Sequence, residues 1–209
     1  MNDSSIAYLD PIEATDPSAQ KSSKSNFFLE TLETIAIAIT IFVIIYNFVA
    51  QPHLVKGDSM QPNYHDGEYI LTSKMYTWWG NPERGDVVVL KSPDDKNIQF
   101  IKRIIGLSGE KIRISSNHIT IFNSQHPEGF MLKEAYIDNQ VITAGGSFLP
   151  DGETYAIPAH KYIVMGDNRT YSYDSRSWGT LDKNDLIGKA FFIYWPLPNF
   201  GIITHASYN

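Results

Sequence analysis

The pattern of hydrophobic and polar positions divides the chain into three stretches of different texture. Residues 1–26 mix acidic, basic, Ser, Asn and Pro residues without an apolar period, which is typical of a disordered tail. From Thr34 to Val55 no residue carries a formal charge, and the central run is apolar on every helical face. After Lys56, short β-type runs alternate with clusters of Gly, Pro, Asn and Asp. The pattern therefore predicts one N-terminal helix followed by a mainly β domain.

The charge-free stretch is long enough for a transmembrane helix. Its 22 residues would reach roughly 33 Å at about 1.5 Å per residue, just past a bilayer core of about 30 Å. A buried core helix or a cleaved signal peptide shares this composition, but the preceding tail is long and no small-x-small site follows the apolar run before Pro52. We therefore expect a disordered tail over 1–26, a transmembrane helix over 27–51 and a β domain over 52–209.

Seven runs rich in β-branched and aromatic residues are candidate strands of that domain. They cover residues 68–72, 86–90, 99–105, 111–114, 118–122, 161–165 and 189–195. A short helix-like stretch lies around Leu181 to Ile187. The segment from Asn123 to Pro158 has the weakest pattern, so we expect long loops there.

Composition narrows the possible classes of protein. With 17 Lys+Arg against 23 Asp+Glu, the formal net charge is −6, which argues against a nucleic-acid partner. The chain contains no Cys, so thiol proteases, Cys-ligated zinc sites and disulfide frameworks are excluded. The six His show no metal-ligand spacing.

Two residues outside the tail could carry nucleophilic chemistry. Ser59 lies in the Gly-flanked segment 57–62, where neighbouring N–H groups can face an oxyanion, although most exposed serines are simply turn residues. Lys102 lies in an apolar strand, on the same face as Phe100 and Ile104. Desolvation there would lower its pKa and make it a base, whereas at a sheet edge its amine would stay in water. The pattern leaves both readings of each residue open.

A third segment, Met165 to Gly179, follows a strand with a dense run of Asp, Asn, Ser and Arg. Such a run is typical of a loop held by side-chain hydrogen bonds and by an ion pair between Asp174 and Arg176. A plain polar turn is the alternative. The unusual length of the segment favours a supporting shell around an active site.

Four segments, in sequence order, resemble the conserved boxes of type I signal peptidases, the membrane-bound Ser/Lys proteases that remove signal peptides from exported proteins. Residues 57–62 are similar to the nucleophile box, and residues 84–91 to the RGDVVVFK-type box. Residues 100–109 are similar to (Y/F)IKRVIGLPG, and residues 165–179 to GDNRxxSxDSRxWG. The likeness runs from the predicted span to about Trp195, and the short length with one span resembles the Gram-positive-type branch.

The resemblance implies a Ser/Lys dyad in which Ser59 is the nucleophile and Lys102 the general base. Ser172 would orient the Lys amine, and Asp174 with Arg176 would form a structural pair beneath the site. It also implies that the fold is mostly β and that neither a metal nor an organic cofactor is used. The partners would be preprotein signal peptides, membrane lipid and a nearby secretion translocon, with no nucleic acid.

The resemblance also implies substrate contacts and a topology. The positions near the dyad or the small substrate pockets are Met60, Phe100 and Ile101. The span would be single-pass in the plasma membrane, with the tail cytoplasmic and the catalytic domain outside. Cleavage would follow a small-x-small motif.

Three positions depart from the family pattern. Asn63 stands where Thr is usual, and Ser108 replaces the Pro of IGLPG. Gly57 stands where some members carry a Ser that assists the oxyanion hole, so the Ser59 N–H is the chief donor expected here. Two alternatives stay open: a membrane-anchored binding protein with the same fold and no activity, and a Ser/Lys processing protease with another substrate.

Overall fold

The computed structural model describes residues 17–138, 141–206 and 208. The chain divides into two units, Met1–Ile44 and Ile45–Asn209. The described part of the first unit is one helix, α1 (Pro17–Ile44). Its stretch Asn26–Ile44 has 19 residues with a mean hydropathy of 2.1 and none buried, so it is long and apolar enough to cross a membrane.

The helix differs in its bounds from the expected span over 27–51. It begins at Pro17, because proline is tolerated in the first helical turn, where its missing N–H costs no bond. Residues 17–26 are therefore helical, and the rest of the expected tail lies outside the described residues. The helix ends at Ile44, and a π-helical turn, Ile45–Val49, leads into a strand that contains Pro52.

Twelve strands form two antiparallel sheets in the described part of the chain. The larger sheet has the order β1-β2-β11-β3-β4-β9-β10, with β12 on β11. Its strands are β1 (Ala50–Leu54), β2 (Tyr69–Ser73), β3 (Val87–Lys91), β4 (Gln99–Gly106), β9 (Lys161–Met165), β10 (Leu181–Asp182), β11 (Leu186–Trp195) and β12 (Gly201–Ile202). Pro52 lies in the edge strand β1, the position in a sheet that tolerates proline.

The smaller sheet has the order β7-β6-β5-β8. Its strands are β5 (Lys111–Ser115), β6 (His118–Phe122), β7 (Phe130–Met131) and β8 (Thr154–Ala156). Two short helices complete the regular structure, α2 (Met75–Trp79) and α3 (Ser175–Trp178). The mainly β fold with one N-terminal helix, expected from the sequence, is confirmed.

The two sheets are buried differently. In β5 and β6 buried and less buried positions alternate, and the inward isoleucines pack against Ile105 and Ile163 of the larger sheet. The larger sheet is covered on both faces, so β4 is buried from Ile101 to Gly106 without alternation. A strand of this kind can carry a side chain far from water.

The seven predicted strands are all present, with ends shifted by no more than three residues. The helix-like stretch at Leu181 to Ile187 was predicted wrongly. It holds β10, a single 3₁₀ turn over Lys183–Asp185 and the start of β11. The reason is tertiary: Leu186 pairs with Leu90 of β3, and this pairing overrides the local helical pattern. Between 123 and 158 the described residues contain only β7 and β8, so the segment is mostly loop.

Candidate active site

The nucleophile loop, residues 57–63, follows β1 and turns sharply at Gly57. Gly57 has a φ of +81°, a conformation that L side chains rarely adopt, although a Cβ there would meet nothing within 4 Å. Its N–H donates to Asp66 Oδ1 at 2.7 Å, which holds the turn. The Ser59 N–H donates to no group within the described part of the chain, so it is available to an oxyanion.

Lys102 reaches the Ser59 hydroxyl from strand β4. Its Nζ lies 2.6 Å from Ser59 Oγ, and the residue is only 3% exposed. Burial lowers the pKa of Lys102 to about 8, and the nearby carboxylates of Asp174 and Asp167 limit the shift. The amine can therefore lose its proton near neutral pH, as a general base beside a hydroxyl must.

The loop of residues 166–169 is hydrogen-bonded to the backbone carbonyl groups of Asp58 and Ser59, on both sides of the nucleophile. Asn168 N donates to Ser59 O at 3.0 Å, and Asn168 Nδ2 donates to Asp58 O at 3.1 Å. We call this pair of bonds the clasp. It fixes the direction of the Ser59 side chain relative to β4, because the peptide groups that carry the serine cannot rotate freely.

Asn63, one of the departures from the family pattern, adds a second tie between the same loops. Its amide nitrogen donates to Asp167 Oδ2 at 2.9 Å and to Tyr136 O at 2.8 Å. An amide can use both N–H bonds at once, which a threonine hydroxyl cannot. Asn63 therefore bonds at once to the loop of Asp167 and to the segment around Tyr136, whereas a threonine hydroxyl could donate to only one of them.

A buried ion pair lies next to the dyad. Arg103 donates from Nε and Nη2 to the two oxygens of Asp167 at 2.8 and 2.6 Å, and from Nη1 to Gly85 O at 3.0 Å. Both residues are at most 2% exposed. Because Arg103 follows Lys102 in β4, this pair ties the base strand to the loop that holds Ser59.

The predicted Asp174–Arg176 pair is formed beneath the site. Arg176 donates from Nε at 2.8 Å and from Nη2 at 2.9 Å to the carboxylate, which also accepts from Gly166 N at 3.1 Å. Burial opposes ionisation of Asp174, yet the bonds from Arg176 hold the pKa of its carboxyl below the usual value. Asp174 also caps the N-terminus of α3.

Ser172, expected to orient the Lys amine, lies close to the dyad without touching it. Its Oγ is buried beside the Asp174 carboxyl, whose pKa it helps to lower, and it makes no hydrogen bond to Lys102 in the part of the chain that the structure describes. Gly166 separates Ser172 from the nucleophile: a Cβ at this glycine would lie 2.3 Å from both Ser172 Oγ and Ser59 O. Only glycine allows this approach, and no local pattern in the sequence predicts this role for Gly166.

A small cavity of about 50 Å³ opens beside the dyad. Phe100 and Ile101 line it, together with Ser59 and Lys102. Met60, expected near the dyad or the small substrate pockets, directly follows Ser59, but its side chain is buried in the hydrophobic core and is not among the residues that line this cavity. The contributions of Asn63 and Arg103 were also missed, since a bond between distant loops leaves no local pattern in the sequence.

Comparison with known proteins identifies the family to which this chain is similar. The model of the family "Signal peptidase, peptidase S26" matches residues 28–195. Signal peptidase I of Bacillus licheniformis is 32% identical over 178 residues, which cover 85% of this chain and 94% of that protein. Signal peptidase IB of Staphylococcus aureus (strain Mu50 / ATCC 700699) is 33% identical over 177 residues, which cover 82% and 92%.

Among solved structures, a signal peptidase I from Enterococcus faecalis V583 superposes with a TM-score of 0.42 at 24% identity. The superposition covers 52% of this chain and 96% of that one. The family model alone spans well over half of the chain, and the relatives match nearly their whole length. The chain therefore belongs to the S26 family of signal peptidases.

Proposed function

We propose that this peptidase removes N-terminal signal peptides from exported preproteins, cutting after a small-x-small motif with a dyad of Ser59 and Lys102. The 2.6 Å contact between Lys102 Nζ and Ser59 Oγ carries the proposal. A lysine of lowered pKa beside a serine hydroxyl is the arrangement that nucleophilic catalysis without histidine requires. The names of the relatives supply the substrate class.

The chemistry is acyl transfer in two halves. Neutral Lys102 takes the proton of Ser59 Oγ as the oxygen attacks the scissile carbonyl, and the Ser59 N–H stabilises the resulting oxyanion. Lys102 then gives its proton to the leaving amine, which leaves an ester on Ser59. Water, deprotonated by the same amine, hydrolyses that ester and releases the second product. No step of this route uses a metal or an organic cofactor.

Two free strand edges provide a place for an extended substrate. Among the described strands, β1 pairs only with β2, so its other edge is open. Strand β9 pairs with β4 only from Arg103 onward, so the segment 99–102 also has an open side. A peptide can add to such edges through main-chain hydrogen bonds. The small cavity between them then limits the side chains that are accepted, which supports small residues before the scissile bond.

Membrane attachment is the remaining part of the proposal. The stretch Asn26–Ile44 would anchor the chain in the plasma membrane in a single pass, next to the lipid and the translocon from which substrates emerge. Lys21 and Lys24 precede this stretch, which favours a cytoplasmic N-terminus, with residues 52–209 outside.

The test is cleavage of a preprotein with an Ala-x-Ala site by the purified full chain in detergent. Ser59→Ala and Lys102→Ala are compared with Ser124→Ala and Lys111→Ala, matched changes at exposed positions. We expect cutting after the last Ala by the wild type and both controls only. Equal cutting by all five would place the chemistry elsewhere. No cutting by a folded wild type would favour an inactive binding protein.

A further inference from the structure

The cavity beside the dyad has two chemically different ends. Near Ser59 its walls are apolar, with Val55 following β1 and Ile101 on β4. Two residues earlier on each of these segments stand His53 and Gln99, which also line the cavity. Since side chains two apart in extended chain point to the same face, the four residues form an apolar rung and a polar rung along one groove.

The polar rung is a hydrogen-bonded bridge across the groove. His53 Nδ1 lies 2.8 Å from Gln99 Oε1, joining the free edge of β1 to the open side of β4. His53 Nδ1–H is the donor to the Gln99 oxygen, so Nε2, 2.9 Å from Thr72 Oγ1, accepts from the Thr72 hydroxyl. Both ring nitrogens therefore have partners, and the ring is held in one orientation from behind by the buried Thr72.

A substrate side chain that packs against the bridge changes the hydrogen bonds of His53 and Gln99, and this affects how well that substrate binds. Burial lowers the pKa of His53, so the ring is neutral at pH 7 and has one donor and one acceptor nitrogen. A branched apolar side chain pressed against the bridge would separate His53 from Gln99, cover their polar atoms from water and leave those atoms without partners. A hydroxyl of the same size could bond to either residue and replace what is lost.

Strand geometry identifies the substrate position that reaches the bridge. When the residue before the scissile bond lies at Ser59, an extended peptide sends its next same-face side chain about 6.6 Å further along, two residues upstream. That is the third residue before the bond, and the His53–Gln99 rung lies at the same spacing. The apolar rung receives the first of these side chains.

We propose that the His53–Gln99 bridge makes this peptidase select Thr, Ser or Ala over Val or Leu at the third residue before the scissile bond. The inference rests on the proposed function and adds to it a polar specificity at one position. Thr and Val have nearly the same shape and differ in a hydroxyl, so this pair of substrates isolates the contribution of the bridge from that of size.

The experiment measures kcat/KM of the full chain for three peptides that carry Thr, Val or Ala at this position. We expect the wild type to prefer Thr to Val by about tenfold, the usual range for leaving a buried polar group unpaired. His53→Phe and Gln99→Leu should each bring the ratio to one or below, while the Ala peptide reports that the variant is folded. His118→Phe, the same change at an exposed histidine of β6, should keep the wild-type ratio.

Each result decides the matter. A wild-type Thr/Val ratio of one or less overturns the inference without any variant. A ratio that persists in either folded variant also overturns it, while cleavage that depends on Ser59 leaves the proposed function standing. If no peptide is cut in a Ser59-dependent way, the proposed function fails and the inference fails with it.

Discussion

The two sheets of the β domain bury different kinds of residue. In the smaller sheet, β5 and β6 bury only isoleucine, and their outward positions are polar or charged apart from Phe122. In the larger sheet, β4 buries Lys102 and Arg103 side by side. Arg103 is in contact with a carboxylate, whereas Lys102 contacts the Ser59 hydroxyl and no carboxylate among the described residues. The smaller sheet therefore contributes stability, whereas the larger sheet also buries a lysine without a carboxylate in contact, and this burial lowers its pKa toward the neutral form that catalysis needs.

Replacing Lys102 should have the largest effect, because it should abolish activity without lowering stability. Lys102→Met keeps the length of the side chain and removes the charge, so we expect kcat to fall by at least about 10⁴-fold. The free energy of unfolding should not fall, because a buried cation without a carboxylate in contact costs stability. Urea unfolding followed by tryptophan fluorescence, alongside peptide cleavage, checks both. A loss of stability would show that Lys102 contributes to the fold as well.

Replacing Arg103, the cation paired with a carboxylate, should lower stability as well as activity. Arg103→Met leaves the Asp167 carboxylate buried without its partner, so the free energy of unfolding should fall by about 3–5 kcal/mol. Ile121→Ala in the smaller sheet should cost about 2–5 kcal/mol through its cavity. The two variants differ in kcat: Arg103→Met should lower it, because the loop around Ser59 loosens, whereas folded Ile121→Ala should cut at the wild-type rate. Equal kcat in both would show that the ion pair does not position the dyad.

The pH profile of cleavage tests whether Lys102 acts as the general base. Because burial lowers the pKa of Lys102 to about 8, the neutral form is the minor one below pH 8 and the major one above it. We expect kcat/KM to rise about tenfold per pH unit below 8 and to level off above. Single-turnover rates between pH 5.5 and 9.5 measure this limb. A flat profile from pH 6 to 8 would contradict the assignment of Lys102 as the base.

The smallest effect concerns the missing oxyanion hydroxyl. Gly57→Ser would add that hydroxyl, but at a φ of +81° the new side chain should lower the free energy of unfolding by about 1 kcal/mol. Gly201→Ser is a matched control, since its Cβ would also meet nothing within 4 Å and its φ is not positive. Thermal unfolding of both variants gives the difference. Equal stability would show that the turn adapts.

The features that the sequence predicted are those that local pattern encodes. Strands 118–122 and 161–165 have the predicted bounds, because β-branched residues and turn signals delimit them. Ser59 and Lys102 were singled out by their motifs, and the structure brings them together. Leu181 to Ile187 was misassigned because its strand residues pair with β9 and β3, partners distant in the sequence.

The contacts that the sequence did not predict join distant positions. His53 and Gln99 are 46 residues apart, and Asn63 and Asp167 are 104 apart. Neither pair has a spacing or a composition that sets it apart from ordinary polar residues. Folding of the chain brings these distant segments together, so only the structure could reveal the bonds between them.

The clasp can form only after the chain has been synthesised as far as Asn168, and this affects when activity can begin. Asn168 and Asp58 are separated by 110 residues, so the backbone around Ser59 stays unrestrained until the loop after β9 has been synthesised and folded back. Contacts of such long sequence separation form late, after the entropy of closing the intervening chain has been overcome. We therefore expect a nascent chain that carries Ser59 and Lys102 but not yet Asn168 to be inactive, because the backbone around its nucleophile is still unrestrained.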